Sequence, residues 1–299
     1  MLKGRDGFSN IDIDNNKISG ETLTNLFHIL PLRNLNLLKN VLSDQQVQPI
    51  ANTLKTNTNI QQIFMSHNQL SEAALRLLAE GLACNSRLTD FFFTHNDLTL
   101  HTEASKELLK SFANKRDLKS LAINSCNLSC ELLEVLKTAV EEHTKLKELY
   151  LFANKIGSDG APHISGIIKN KSQLSCLGLS NNQLHRSGAI EIARNGLQGK
   201  TSLIKISIEN NCITSEGLCE LSRALLECSM LQEIYLYNND IEDEPNKDFI
   251  RLLERQTDLF ALGLEFNRIG FKGAGLILGA IVNHPKLEKL YLNQNDINA

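Results

Sequence analysis

All four tyrosines, Tyr150, Tyr235, Tyr237 and Tyr291, stand in short runs of alternating apolar residues, as do Phe64, Phe92 and Phe152. In Glu148-Leu149-Tyr150-Leu151-Phe152 the leucines alternate with the rings. In a strand, alternate side chains leave on opposite faces, so the rings leave on the face opposite the leucines. Burial behind the leucines therefore does not account for them. Rings held on a rigid sheet are interface anchors, and the chemistry they point to is recognition of a macromolecular partner, a protein in the first place. The competing explanation is that neighbouring rings cover each other across the strands. Glu148, Glu209, Glu233 and Glu265 share the face. They suit a basic or mixed partner surface, or form an ordinary solvated face. The candidate partner-binding set is Phe64, Phe92, Tyr150, Phe152, Glu209, Glu233, Tyr235, Tyr237, Glu265 and Tyr291.

Other chemistry is weakly signalled. His67 and His95 hold equivalent positions beside Phe64 and Phe92, as a pair, a pH-sensitive contact or solvated loop residues. Two histidines without a third ligand in register make a poor zinc site. Cys126-x-x-x-Cys130 is explained by Cys126 standing in for a structural asparagine as a buried weak donor. Gly273-x-Gly275-x-x-x-Gly279 lacks the strand-turn-helix setting of a dinucleotide loop. No nucleophile elbow, H-E-x-x-H or phosphate loop is present. The expectation is no enzyme, no metal and no cofactor.

The elements that position these residues come from one line written many times. Leu146 to Ile156 reads L-x-x-L-x-L-x-x-N-x-I, and its first position recurs at Phe8, Leu32, Ile60, Leu88, Leu118, Leu174, Leu203, Leu231, Leu259 and Leu287. The step is about 28 residues, the period of a leucine-rich-repeat solenoid. Each copy supplies a strand, a bend and a helical half. At the bend an asparagine amide can bond backbone groups that the turning chain leaves unpaired. The asparagine is present in ten of eleven copies, with Cys126 in the remaining one. One strand and one helix close no core alone, and stacking on neighbours does.

Helices are expected near Glu21–Leu30, ended by Pro31, then Gln45–Lys55 with Pro49 in its first turn, Glu72–Ala83, Cys130–Glu142 and Ala161–Asn170. Two extra residues in the fourth copy belong around Thr99–Glu103, and one in the seventh at the Gly196–Gly199 turn. Glu242-Asp243-Glu244-Pro245 reads as an acidic helix entrance.

With 299 residues, 42% hydrophobic, 22% charged and a net charge of −3, the chain has the composition of a soluble globular protein and no basic bias towards nucleic acid. The unbroken repeat argues for one domain over residues 1–299. Seven cysteines, odd in number and spaced by the repeat, suggest reduced thiols in a cytosol. No secretory signal opens the sequence, and no apolar run is long enough to span a bilayer. The first and last copies have no polar capping unit, so a longer parent chain or an oligomer is expected to cover the ends.

With G-x-x-x-L-x-x-x-L after it, the line resembles the ribonuclease-inhibitor-like subfamily of leucine-rich repeats. The glycine matches at Gly160, Gly188, Gly217 and Gly273 and departs at Ala74, Thr102, Leu132 and Pro245. The resemblance implies an α/β fold, a right-handed horseshoe with a parallel sheet inside and helices outside. For function it spans ribonuclease inhibitors, innate immune receptors, the Ran GTPase activator and bacterial effectors. A non-catalytic interaction module in a cytosol is the expectation, in the form of a bacterial effector in a host cytosol. The alternatives are a GTPase regulator, with Arg186 or Arg268 facing a nucleotide, and the sensing end of a receptor.

Overall fold

The structure, a computed structural model, describes residues 9–29, 32–57, 59–243 and 247–298. Its residues group into two compact units, divided after Leu146. In the first, β1 (Asn10–Asp12), β2 (Asn34–Asn36), β3 (Gln62–Phe64), β4 (Asp90–Phe92) and β5 (Ser120–Ala122) alternate with α1 (Gly20–Ile29), α2 (Asp44–Thr56), α3 (Glu72–Cys84), α4 (Thr102–Lys110) and α5 (Cys130–Val140). In the second, β6 (Glu148–Tyr150), β7 (Cys176–Gly178), β8 (Lys205–Ser207), β9 (Glu233–Tyr235), β10 (Ala261–Gly263) and β11 (Lys289–Tyr291) alternate with α6 (Gly157–Lys169), α7 (His185–Glu191), α8 (Thr214–Leu225), α9 (Lys247–Arg255) and α10 (Phe271–Ile281). Each unit is an α/β leucine-rich-repeat solenoid of right-handed turns, with a parallel sheet on one face and helices on the other.

Register follows the repeat. Ile11, Leu35, Ile63, Phe91 and Leu121 are successive partners in the first unit. Leu149, Leu177, Ile206, Ile234, Leu262 and Leu290 are partners in the second. All but Leu290 are buried against the helices, which leaves the alternate residues on the open face.

The bend after each strand is left-handed. The residue before the ladder asparagine has φ near +55° in copy after copy, for example Lys39 (57°), Ala153 (55°) and Asn181 (59°). Non-glycine residues resist that region, and the asparagine compensates. Asn68 Nδ2 donates to Leu37 O (3.0 Å) and Met65 O (2.8 Å), while Asn96 Oδ1 accepts from Asn68 N (2.9 Å). Asn182 repeats the pattern in the second unit. Cys126 takes the same place. Its thiol donates to Phe93 O (2.7 Å), and burial pushes its pKa up to about 12. Cys126→Asn is therefore expected to stay within about 1 kcal/mol of wild type, on the stabilising side, in urea unfolding. Val41 is a harder case, a β-branched residue at φ 48° with 71% exposure. Val41→Asn is expected to raise stability by about 1 kcal/mol in the same measurement, since asparagine tolerates this backbone and valine does not.

A second ladder, which the motif does not announce, runs where several of the helices return to the sheet. Three residues before the first apolar position of the next copy, a polar side chain reaches back to a carbonyl of the preceding repeat. Lys115 Nζ donates to Leu82 O (2.5 Å) and the His143 ring contacts Phe112 O (2.9 Å). In the second unit, Lys200 Nζ donates to Lys169 O (2.7 Å) and Gln256 Nε2 to Leu225 O (3.0 Å). These carbonyls lie in the last turns of helical segments. Three of them, Leu82 O, Phe112 O and Leu225 O, accept one backbone N–H from the turn that follows and have a second lone pair for the side chain. Lys115 is fully buried, which pushes its pKa down to about 7, while Ser111 O and Asn114 Oδ1 also accept from its amine.

Several local expectations need correction. Pro49 lies inside α2, beyond the first turn. It leaves the Gln45 carbonyl without a helical N–H, and Gly20 packs against that oxygen, where a Cβ would stand 2.5 Å away. The helix expected from Ala161 begins at Gly157, whose φ is 71°. Gly196 and Leu197 close a π-helical segment, Ile192–Leu197, and the chain turns only at Gln198–Gly199. A single inserted residue is absorbed by widening one helical turn. Asp243 serves the next repeat, its Oδ1 accepting from Gly273 N (2.6 Å) in the first turn of α10. The extra residues of the fourth copy lie before α4, where Asp97 Oδ1 accepts from Thr99 N (2.8 Å). Phe8, Leu30, Pro31, Glu244 and Pro245 lie outside the described residues.

Candidate functional site

On the open sheet face of the first unit, Phe64 and Phe92 are direct strand partners. Their rings stack at 4.7 Å and 9° and both remain half-buried. Beside them Gln62 Nε2 donates to Asp90 Oδ2 (3.0 Å).

The second unit carries more of the predicted set. Tyr150 and Phe152 lie 5.8 Å apart, tilted by 34°. Both rings rest over Gly178, where a Cβ would meet Phe152 Cζ at 2.3 Å and Tyr150 Cδ1 at 2.8 Å. Burial, then the Cys176 thiol, raises the Tyr150 pKa. Tyr235 leans over Gly263 in the same manner, with Lys205 Nζ 4.8 Å from its ring centroid. Lys205 also pairs with Glu233 (2.8 Å) and holds that carboxyl below its usual range. The Tyr235 hydroxyl is pushed up to about 12 by burial and by Glu233. Tyr237 is half-buried and Tyr291 is 39% exposed.

Glu209 departs from expectation. Only 8% of it is exposed, so it is not an ordinary solvated charge. Burial pushes its carboxyl up and Glu265 adds to this, against a hydrogen bond donated by the Ser180 hydroxyl. Glu265 Oε2 is buried without a hydrogen-bond partner among the described residues. The second unit thus presents rings seated on glycines, one lysine, and carboxylates of unequal exposure, a surface suited to contact rather than to bond making.

The remaining candidates are placed as follows. Arg268 pairs with Asp240 (2.8 Å) and Arg186 with Glu216, both on the exposed surface. All seven cysteines are free thiols. Among the described residues, no group of three or more histidine, cysteine or acidic side chains is placed to hold a metal ion. No helix among them is long and apolar enough to cross a membrane. Sequence reasoning missed the seats of the rings, Gly178 and Gly263. Their signal was glycine at the outward strand position, next to a copy with an aromatic there.

Fold and face together define a leucine-rich-repeat scaffold of the kind that mediates protein–protein interaction. No family model matches the chain. Ribonuclease inhibitor from Sus scrofa is 27% identical over 185 residues, covering 61% of this chain and 40% of the inhibitor. Protein NLRC5 from Ictalurus punctatus is 24% identical over 196 residues, covering 56% of this chain and 11% of that protein. The chain therefore spans well under half the length of the curated relatives it matches. The crystal structure of an internalin from Listeria monocytogenes superposes with a TM-score of 0.60 at 18% identity, covering 98% of this chain and 82% of the internalin. The solenoid is related distantly to ribonuclease-inhibitor-type repeats and shares its fold with internalin-type proteins.

Proposed function

We propose that this chain binds a protein partner through the open face of its sheet, by way of Phe64 and Phe92 in the first unit and Tyr150, Phe152, Tyr235, Tyr237 and Tyr291 in the second. The observation that carries the reading is the row of half-exposed aromatic rings at outward strand positions, where helix packing does not require them. The part-exposed Glu233 and Glu265 bias the partner towards basic or mixed charge. The name of the ribonuclease inhibitors, proteins directed at another protein, adds support by analogy. In its particular form the proposal is a bacterial effector acting in a host cytosol. A second reading, the sensing end of a larger protein, draws support from the match to 16% of a human protein named for NACHT, LRR and PYD domains.

Capture of a partner from cytosol by the wild-type chain, with loss in a variant lacking Tyr235 and Tyr237, tests the proposal. Equal capture by both removes the aromatic face from the interface. A single-turnover assay against small GTPases tests the regulatory alternative.

A further inference from the structure

The loops after β2, β3 and β4 carry Lys39, His67 and His95 at one register position, the residue before each ladder asparagine. All three backbones are left-handed, at φ 57°, 60° and 56°. Their amides are tied to the next repeat: Lys39 N to Ser66 O (2.9 Å), His67 N to Thr94 O (2.8 Å) and His95 N to Asn124 O (2.9 Å). The backbone thus delivers the two imidazoles face to face, with centroids 4.1 Å apart and planes 25° apart. They wall a cavity of about 450 Å³ whose other side includes Asp97, Leu100 and Ser125.

Neutral imidazoles stack at this distance without penalty. Two imidazolium ions would repel, with the Lys39 ammonium adding to the repulsion from the preceding loop. Asp97, the carboxylate lining the cavity, is already engaged. Its Oδ1 accepts from Thr99 N and Oγ1 (2.8 and 2.7 Å), and its Oδ2 from Asn127 Nδ2 (2.9 Å). The loop after β5 contributes uncharged Ser125. At the helix starts beyond, His101 and Glu72 face each other at 4.0 Å.

We propose that the His67–His95 stack is a proton-sensitive clasp between two adjacent loops of the first unit. The neutral pair holds the loops together, and protonation drives the rings apart and loosens the cavity wall they form. The pKa of His67 is lowered by partial desolvation of its ring, which is otherwise exposed, then by His95 and then by Lys39. A base held below its unfolded value binds fewer protons when folded. Its contribution is therefore lost as pH falls from the unfolded histidine value, about 6.5, through the lower folded value, and is fully present above that range.

The test is an imidazole NMR titration of the full chain between pH 5 and 8, on wild type, His95→Gln and His67→Gln. The expected result has three parts. His67 titrates below the ordinary histidine value, it moves up in His95→Gln, and mutual ring-current shifts vanish on the acid side. In parallel, urea unfolding of wild type should lose stability from pH 7.5 to 5, and His67→Gln/His95→Gln should lose less. A His67 that titrates at or above the ordinary value, or that ignores His95→Gln, overturns the clasp. So do ring-current shifts that persist at pH 5, or equal acid losses in wild type and double variant. Both rings are exposed loop side chains, and a circular dichroism spectrum unchanged from wild type confirms that the variants fold.

Discussion

Asn182→Ala will lower the unfolding free energy by about 3 kcal/mol, measured in urea at neutral pH. The substitution removes a side chain with 0% exposure that satisfies both directions of the ladder at once. Its Nδ2 donates to Leu151 O in the preceding repeat and to Leu179 O in its own, both at 2.8 Å. Its Oδ1 accepts from Asn154 N at 2.9 Å. Alanine removes the acceptor of Asn154 N and one donor from each carbonyl, while Leu151 O keeps Asn154 Nδ2 and Leu179 O keeps Asn211 Nδ2, both at 3.0 Å. An unmade hydrogen bond in such a place costs about 1–3 kcal/mol for each group stranded, reduced where a water enters. The neighbouring bend, with Asn181 at φ 59° and Gln183 at φ 55°, loses the amide that holds it. Asn182→Asp keeps the acceptor but turns a carboxylate oxygen towards the Leu151 and Leu179 carbonyls in a buried place, so it should destabilise at least as much as alanine at neutral pH. An Asn182→Ala variant within about 0.5 kcal/mol of wild type would mean that the bend is held by backbone bonds alone.

How much of this was readable before the structure depends on whether a residue answers to one copy or to its neighbours. The leucines at Leu149 and Leu151 and the asparagine at Asn154 answer to their own copy. Strand alternation and the bend require them, so fold and register follow from the line itself. The seats of the rings answer to the next copy. Phe152 lies flat because Gly178, one repeat on, has no side chain. Nothing within the Phe152 copy announces that. The burial of Glu209 is hidden for the same reason. Its position in the strand is outward, yet Ser180 and Glu265, from the copies before and after next, close over it. The second ladder was invisible because its members share a direction and not a chemistry. Lysine, histidine and glutamine all reach a carbonyl, so Lys115, His143 and Gln256 look unrelated in the sequence. Insertions were located to within a few residues and their form was not. In the π-helical segment Gly196 packs on Ile168 of the preceding repeat, where a Cβ would stand 2.8 Å from Cδ1, a contact that the Gly196 copy alone does not announce.

Tyr235→Ala with Tyr237→Ala will weaken binding of the captured partner by about 2 kcal/mol or more, read as a change in Kd by titration calorimetry. Both side chains leave the sheet on the open side, two residues apart at the end of β9, and both are half-buried in the free chain. A ring already partly seated loses little freedom when a partner covers the rest, so more of its contact area is converted into affinity. Tyr235 is the better seated of the two, resting over Gly263 and under the Lys205 ammonium, which also pairs with Glu233. Its loss therefore costs the fold something as well, about 1 kcal/mol, more than a fully exposed residue would. The two effects separate cleanly. A stability loss appears in unfolding of the free chain, and an interface loss appears in Kd for chain that remains folded. Phe260→Ala is the matching control, since Phe260 is also half-buried beside a lysine, Lys289, but precedes its strand. It should lower stability by a comparable amount and leave Kd unchanged. If the tyrosine pair and Phe260→Ala change Kd alike, the aromatic face is not where the partner sits.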